Sequence, residues 1–195
     1  MKINSLKELG TLIRLRRKSE HLTIETLSAL VPCSSRFGPG FSECALLLRK
    51  HCSVPAPHLL RMLDWAVFNL CIGNMDAHAK NLSILMVNSK KVLAPFYDLI
   101  CTLYYDGFST ELAMSIGGRY NPDKIRAAQW KKFALDTGLP EKVVMQAVPK
   151  IARRIIDALP ATEDEVAGIV PQKAFIHDLR MFILNRCMHL LRNLN

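Results

Sequence analysis

The chain has 195 residues, half of them hydrophobic and 22% charged, which suits one medium or two small globular domains and excludes a disordered or fibrous protein. Its net charge of +9 favours anionic partners such as nucleotide phosphates, nucleic acid or acidic protein surfaces, without choosing among them. Six cysteines, at 33, 44, 52, 71, 101 and 187, contain no C-x-x-C pair and sit mostly among apolar neighbours. They read as core thiols in a reducing cytoplasm and argue against a zinc site. Residues 1–10 lack the apolar stretch of a signal peptide, and the most hydrophobic segment, 59–73, is interrupted by Arg61, Asp64 and Asn69. No membrane span is therefore expected.

Residues 5–37 read as two short helices and the start of a third. Leu6, Leu9, Leu12, Ile13 and Leu15 recur at helical spacing, Thr23 is an N-cap candidate for a helix over 24–31, and Ser34 can cap the next. Gly38-Pro39-Gly40 is the best linker candidate. Helices are predicted over 41–50 and 59–73, separated by Ser53-Val54-Pro55-Ala56-Pro57. The second is apolar on more than one face and should be buried, with Gly73-Asn74 breaking it just before Asp76. Two β-rich runs follow, 82–87 and 92–97, flanking the turn formers Asn88-Ser89-Lys90-Lys91, which is a β-hairpin signature. Residues 99–112 carry no clear signal, and Ala113-Met114-Ser115-Ile116 reads as a short strand ended by Gly117-Gly118. Three helices complete the chain, over 122–137, 140–159 (with Pro149 expected to kink it) and 173–194.

The chemistry-bearing stretch is 76–98. It opens Asp76-Ala77-His78-Ala79-Lys80-Asn81 and ends Tyr97-Asp98, so the hairpin carries Asn81 at its entrance and Asp98 at its exit, within reach of Asp76. Two carboxylates and an amide oxygen are hard ligands suited to Mg²⁺ beside phosphates. That order matches the catalytic loop, hairpin and metal-binding Asp of protein kinases, in a D-x-H-x-x-N variant. The runs FNLCIGNMDAHAKNLSIL, LAPFYDLICT and ELAMSIGG resemble the HipA family of bacterial serine/threonine toxin kinases. The resemblance covers 41–195 and implies a kinase-like C-terminal lobe, mainly α with a small β-hairpin. It implies ATP- and Mg²⁺-dependent phosphorylation of a protein hydroxyl in a toxin–antitoxin setting, with a translation factor or aminoacyl-tRNA synthetase as the usual target. Asp76 would be the catalytic base, His78 would hold the loop, Lys80 would face the γ-phosphate, and Asn81 and Asp98 would bind Mg²⁺.

No G-x-G-x-x-G, no V-A-I-K-like run and no matching glutamate precedes Asp76. The nucleotide-gripping N-lobe is therefore expected to be missing, and would have to come from another polypeptide. Residues 1–37 are similar to a truncated helix-turn-helix of HipB-like antitoxins, a resemblance that stops where the reading helix should continue. Residues 2–36 carry seven lysines and arginines against three glutamates, enough for weak, salt-sensitive phosphate contact but not for sequence-specific DNA recognition. The alternatives to an active kinase are a non-catalytic remnant that binds an antitoxin or partner kinase, and a weak DNA-binding regulator acting through 5–37.

Overall fold

The computed structural model describes residues 38–194, together with the backbone of Leu22 and Thr23. The helices and the helix-turn-helix-like unit expected over 5–37 lie outside the described residues, apart from the two-residue strand β1, Leu22–Thr23. Five α-helices follow. They are α1 Phe41–His51, α2 Pro55–Ile72, α3 Ala127–Thr137, α4 Glu141–Ala167 and α5 Lys173–Arg192. Between α2 and α3 lie β2, Ser83–Val87, and β3, Lys90–Leu93. The antiparallel sheet has the order β1-β2-β3. Among the described residues, no helix is long and apolar enough to cross a membrane.

The helix α2 is the floor of the molecule, packed against α1, α4 and α5. Leu59, Met62, Leu63, Trp65, Ala66, Val67, Leu70 and Cys71 are all buried, which is why its sequence is apolar on several faces. Its N-terminus lies four residues ahead of the expected start. Pro55 occupies the first turn, where a missing N–H costs nothing and the fixed φ suits the helix. Phe41 and Phe133 stack edge-on at 5.1 Å, Phe41 reaches Trp65 at 6.1 Å and Trp130 reaches Phe133 at 5.6 Å, joining α1, α2 and α3 through rings. Cys71 on α2 and Cys187 on α5 are fully buried, and the neighbouring Cys187 thiol together with burial pushes the Cys71 thiol well above its ordinary range. The five described cysteines are free, as core thiols should be.

Three elements depart from the sequence expectation. The helix expected over 122–137 begins at Ala127, because Pro122–Lys124 closes a separate 3₁₀ turn capped by the Asn121 side chain. The stretch 113–116 is not a strand; only Ile116 pairs, with Arg119, around Gly117 and Gly118 in left-handed conformation. A Cβ at Gly117 would sit 2.2 Å from the Gln129 carbonyl oxygen, so the glycine serves a close backbone approach to α3 rather than a strand end. The helix α4 runs through both Pro149 and Pro160 to Ala167. Val144, Val148 and Ala152 are buried at four-residue spacing, and the packing of that stripe holds the helix across a lost hydrogen bond.

Gly73 ends α2 at φ 77°, with its N–H bonded to the Asn69 carbonyl. A Cβ there would lie 3.2 Å from both Leu103 Cβ and Phe182 Cε1. Gly73→Ala is expected to cost about 1–3 kcal/mol, combining left-handed strain with crowding. Urea unfolding checks this, and an unchanged midpoint would contradict it.

Candidate active site

The hairpin is closed by Asn88 and Ser89 alone, at φ 48° and 61°, the doubly left-handed geometry that matches the twist of paired strands. The expected four-residue turn is thus shorter, and Lys90 and Lys91 belong to β3. Ile84 pairs with Leu93, and both side chains are buried while the tip residues Met86 and Val87 are exposed. The second strand stops at Leu93 rather than reaching Tyr97, because Pro95 cannot donate to the ladder. Arg61 of α2 secures that end, donating to the carbonyls of Leu93 at 3.0 Å and Ala94 at 3.3 Å while its guanidinium lies 5.1 Å from the Phe96 ring centre.

Closing the hairpin brings its two ends together. Asn81 Nδ2 donates to Asp98 Oδ2 at 2.7 Å, and Asn81 Oδ1 accepts the His78 backbone N–H at 3.0 Å. Asn81 itself is buried, whereas Asp98 is exposed and has φ 61°, a left-handed conformation that Asp tolerates better than most residues. The Tyr97 hydroxyl donates to the Lys80 carbonyl at 2.6 Å and lies 3.0 Å from Ser83 Oγ. The chain on both sides of the hairpin is therefore cross-linked twice within a few residues.

Asp76 stands on the loop just before, its side chain 70% exposed, with Oδ1 3.9 Å from His78 Nε2. That separation is too long for a hydrogen bond. His78 Nδ1 is buried without a hydrogen-bond partner. Lys80 is exposed on the adjoining 3₁₀ turn, Ala79–Asn81.

Four residues to which the sequence reading gave no role in the site hold this loop. Thr102 is buried; its Oγ1 accepts the Met75 N–H at 2.8 Å and donates to the Gly73 carbonyl at 3.3 Å. Asn74, 2% exposed, donates to Asn69 Oδ1 at 2.8 Å and to the Asp98 carbonyl at 2.9 Å, and accepts the Asp76 N–H at 3.2 Å. Asn69 in turn donates to the Trp65 carbonyl at 2.8 Å. Tyr97 is the fourth. The only hint in the sequence was polar Asn69 and Asn74 at the end of an apolar helix, where Asn74 reads just as a helix breaker. Thr102 lies in a stretch with no periodicity.

The rim offers carboxylate oxygens from Asp98 and the amide oxygen of Asn81, ligands that suit a hard cation such as Mg²⁺, although in this structure Asn81 turns its Nδ2 toward Asp98. Asn81 Oδ1 uses one lone pair on His78 N–H and keeps a second. Among the described residues no cluster of three or more His, Cys, Asp or Glu side chains could hold a metal by itself. A cation here would share its coordination with a ligand's oxygens and water, the usual habit of Mg²⁺. Behind this rim, a cavity of about 560 Å³ opens between α2 and α4, lined in part by Phe96 and Leu99 on either side of Tyr97 and Asp98. Asp64 lines it too, its carboxyl raised above the usual range by burial, against the opposing pull of Arg154, Arg61 and Lys150.

With that geometry established, comparison with known proteins decides the family. The model of the HipA-like C-terminal domain matches residues 13–159. The chain belongs to the HipA-like family. It is 36% identical to the serine/threonine-protein kinase toxin HipA of Shewanella oneidensis over 146 residues, covering 71% of this chain and 34% of the relative. Y4mE of Sinorhizobium fredii, which bears a provisional kinase name, is 38% identical over 137 residues, 70% of this chain and 31% of that protein. A solved chain from the Shewanella oneidensis complex of HipA, HipB and operator DNA superimposes with a TM-score of 0.71 at 34% identity, over 80% of this chain and 36% of that one. The kinase-like C-lobe expected from the sequence is thus the fold. The chain spans about a third of the length of these HipA-like relatives.

Thr102→Val keeps the shape but leaves the buried Met75 N–H unpaired, and is expected to cost about 1–3 kcal/mol. Thr102→Ser retains the hydroxyl and should lose much less. Equilibrium unfolding of the pair checks this, and equal losses would show that the methyl, not the hydroxyl, holds the loop.

Proposed function

We propose that this chain provides the catalytic lobe of a HipA-like kinase that transfers the γ-phosphoryl group of ATP to a serine or threonine hydroxyl of a protein. The observation that carries the reading is the 2.7 Å contact between Asn81 and Asp98 across the hairpin, with Asp76 on the neighbouring loop. In this assignment Asp98 and Asn81 hold Mg²⁺, the Asp98 carboxylate by its oxygens and Asn81 by the second lone pair of Oδ1. The metal, when bound, neutralises charge developing on the phosphate oxygens. Asp76 points into solvent, where an incoming hydroxyl is accessible; it orients that hydroxyl and accepts its proton. His78 keeps the loop in shape through its backbone N–H on Asn81, and Lys80 places a positive charge near the γ-phosphate. The resemblance of the whole fold to a chain found with HipB and operator DNA supports an antitoxin resembling HipB as a partner of this protein.

The test is calorimetry of ATP binding with and without Mg²⁺, alongside a phosphotransfer assay on the full chain. Asp76→Asn should reduce transfer by about 10²–10⁴-fold while leaving Mg²⁺-dependent ATP affinity nearly unchanged. Asp98→Asn should weaken that affinity itself. Wild-type rates in Asp76→Asn would overturn its role, and wild-type chain without Mg²⁺-dependent nucleotide binding would overturn the assignment of Asn81 and Asp98 as a metal–nucleotide site that works within this chain.

A further inference from the structure

Both carboxylates of the proposed site are tethered through their backbones to one side chain, and that side chain belongs to neither the metal rim nor the acceptor site. We infer that Asn74 is a positioning residue that sets the separation of Asp76 and Asp98, fixing the acceptor-orienting group relative to the metal-binding group. The inference rests on the proposed roles of those two residues.

The direction of every bond in the relay is determined by its ends. The Asp98 carbonyl can only accept and the Asp76 N–H can only donate, so the Asn74 amide must present Nδ2 to the former and Oδ1 to the latter. The flipped amide would set donor against donor and oxygen against oxygen. The same logic runs inward. The Trp65 carbonyl requires Asn69 to donate from Nδ2, which leaves Asn69 Oδ1 to accept the other Asn74 proton. Asn74 thus has both protons and one oxygen lone pair engaged, at 2% exposure, so water does not compete for them.

The relay starts on the buried part of α2, whose neighbours leave it no freedom to shift. Asn69 and Trp65 are one helical turn apart, and the Asn74 N–H is bonded to the Asn69 carbonyl at 2.9 Å. Asn74 therefore transmits the position of a rigid helix to two loop segments 22 residues apart in sequence. Left-handed Asp98 would otherwise have an easier extended conformation available, which would rotate its carboxylate away from Asn81. Asn74 touches only backbone groups of the two aspartates, so substitution can separate them. Asn74→Asp keeps an acceptor for the Asp76 N–H and loses both donations, to the Asp98 carbonyl and to Asn69 Oδ1.

Backbone amide exchange and carbonyl ¹³C shifts measured by NMR on the full chain test this without requiring activity. In Asn74→Ala the Asp76 amide should exchange at least about tenfold faster relative to the Leu70 amide in α2, and the Asp98 carbonyl resonance should move. In Asn74→Asp the Asp98 carbonyl should move while Asp76 protection remains. Affinity for Mn²⁺·ATP should weaken in both variants, and transfer at saturating nucleotide should fall about 10–100-fold in Asn74→Ala. Asp76 exchange and the Asp98 carbonyl both unchanged in Asn74→Ala would overturn the inference. If Asn74→Asp does not fold, Asn74→Ala alone decides. Wild-type chain that binds no Mn²⁺·ATP would overturn the assignment of a metal–nucleotide site within this chain instead, and the NMR result would still judge whether Asn74 couples the two segments.

Discussion

The length of the hairpin turn is the constraint on which the site depends. With only Asn88 and Ser89 outside the ladder, the register Ile84–Leu93 is fixed, and the residues just beyond each strand must emerge side by side. A turn one residue longer would move every side chain of β3 to the opposite face. Leu93 would leave the core and the chain would approach Asp98 from the wrong side. The 2.7 Å contact between Asn81 and Asp98 is thus a consequence of backbone arithmetic reinforced by Arg61, which grips the carbonyls of Leu93 and Ala94 where β3 ends. The turn supplies the spacing, α2 supplies a fixed reference, and the buried amides and Thr102 connect the two.

What could be read in the sequence followed from this division. The hairpin, the helix α2 and its stop at Gly73 announce themselves because β-rich apolar runs around turn formers, a long apolar helical run and a terminating glycine leave local signals. The convergence of Asn81 and Asp98 was legible for the same reason, since a hairpin is a local object whose ends must meet. Thr102 was not legible. It sits in an irregular stretch, and its importance comes from an N–H and a carbonyl 27 and 29 residues away. Nor was the difference between a strand and a tight turn at Gly117, because the reason for glycine there is the approach of the α3 backbone. Pro55 and Pro160 misled, one taken for a linker yet opening a helix and the other lying beyond the expected helix end yet passed over by one, because position within the helix and tertiary packing decide what a proline does.

Membership of the HipA-like family and the geometry of the rim are separate supports. The family match covers residues 13–159 and would stand even if the hairpin carried other side chains. The contact of Asn81 with Asp98 is a property of this chain's own geometry, whatever its relatives are called. Their agreement matters because a chain spanning a third of its relatives' length inherits fold more securely than activity.

The exposure of Asp76 points to how the chemistry must be completed. Two unit charges 4 Å apart interact by about 1 kcal/mol in bulk water and about 4 kcal/mol at the effective dielectric of a partly covered protein site. In the proposed assignment, a rim whose acceptor-side carboxylate is 70% exposed would have its groups in place but would act through a medium that blunts them. Phosphoryl transfer relies on positioning and on electrostatic stabilisation together. On that proposal, the buried Asn74, Asn81 and Thr102 beneath the rim would supply the first. The second grows only when something covers it. The distribution of burial, tight below and open above, is what a lobe built to close against another surface should have.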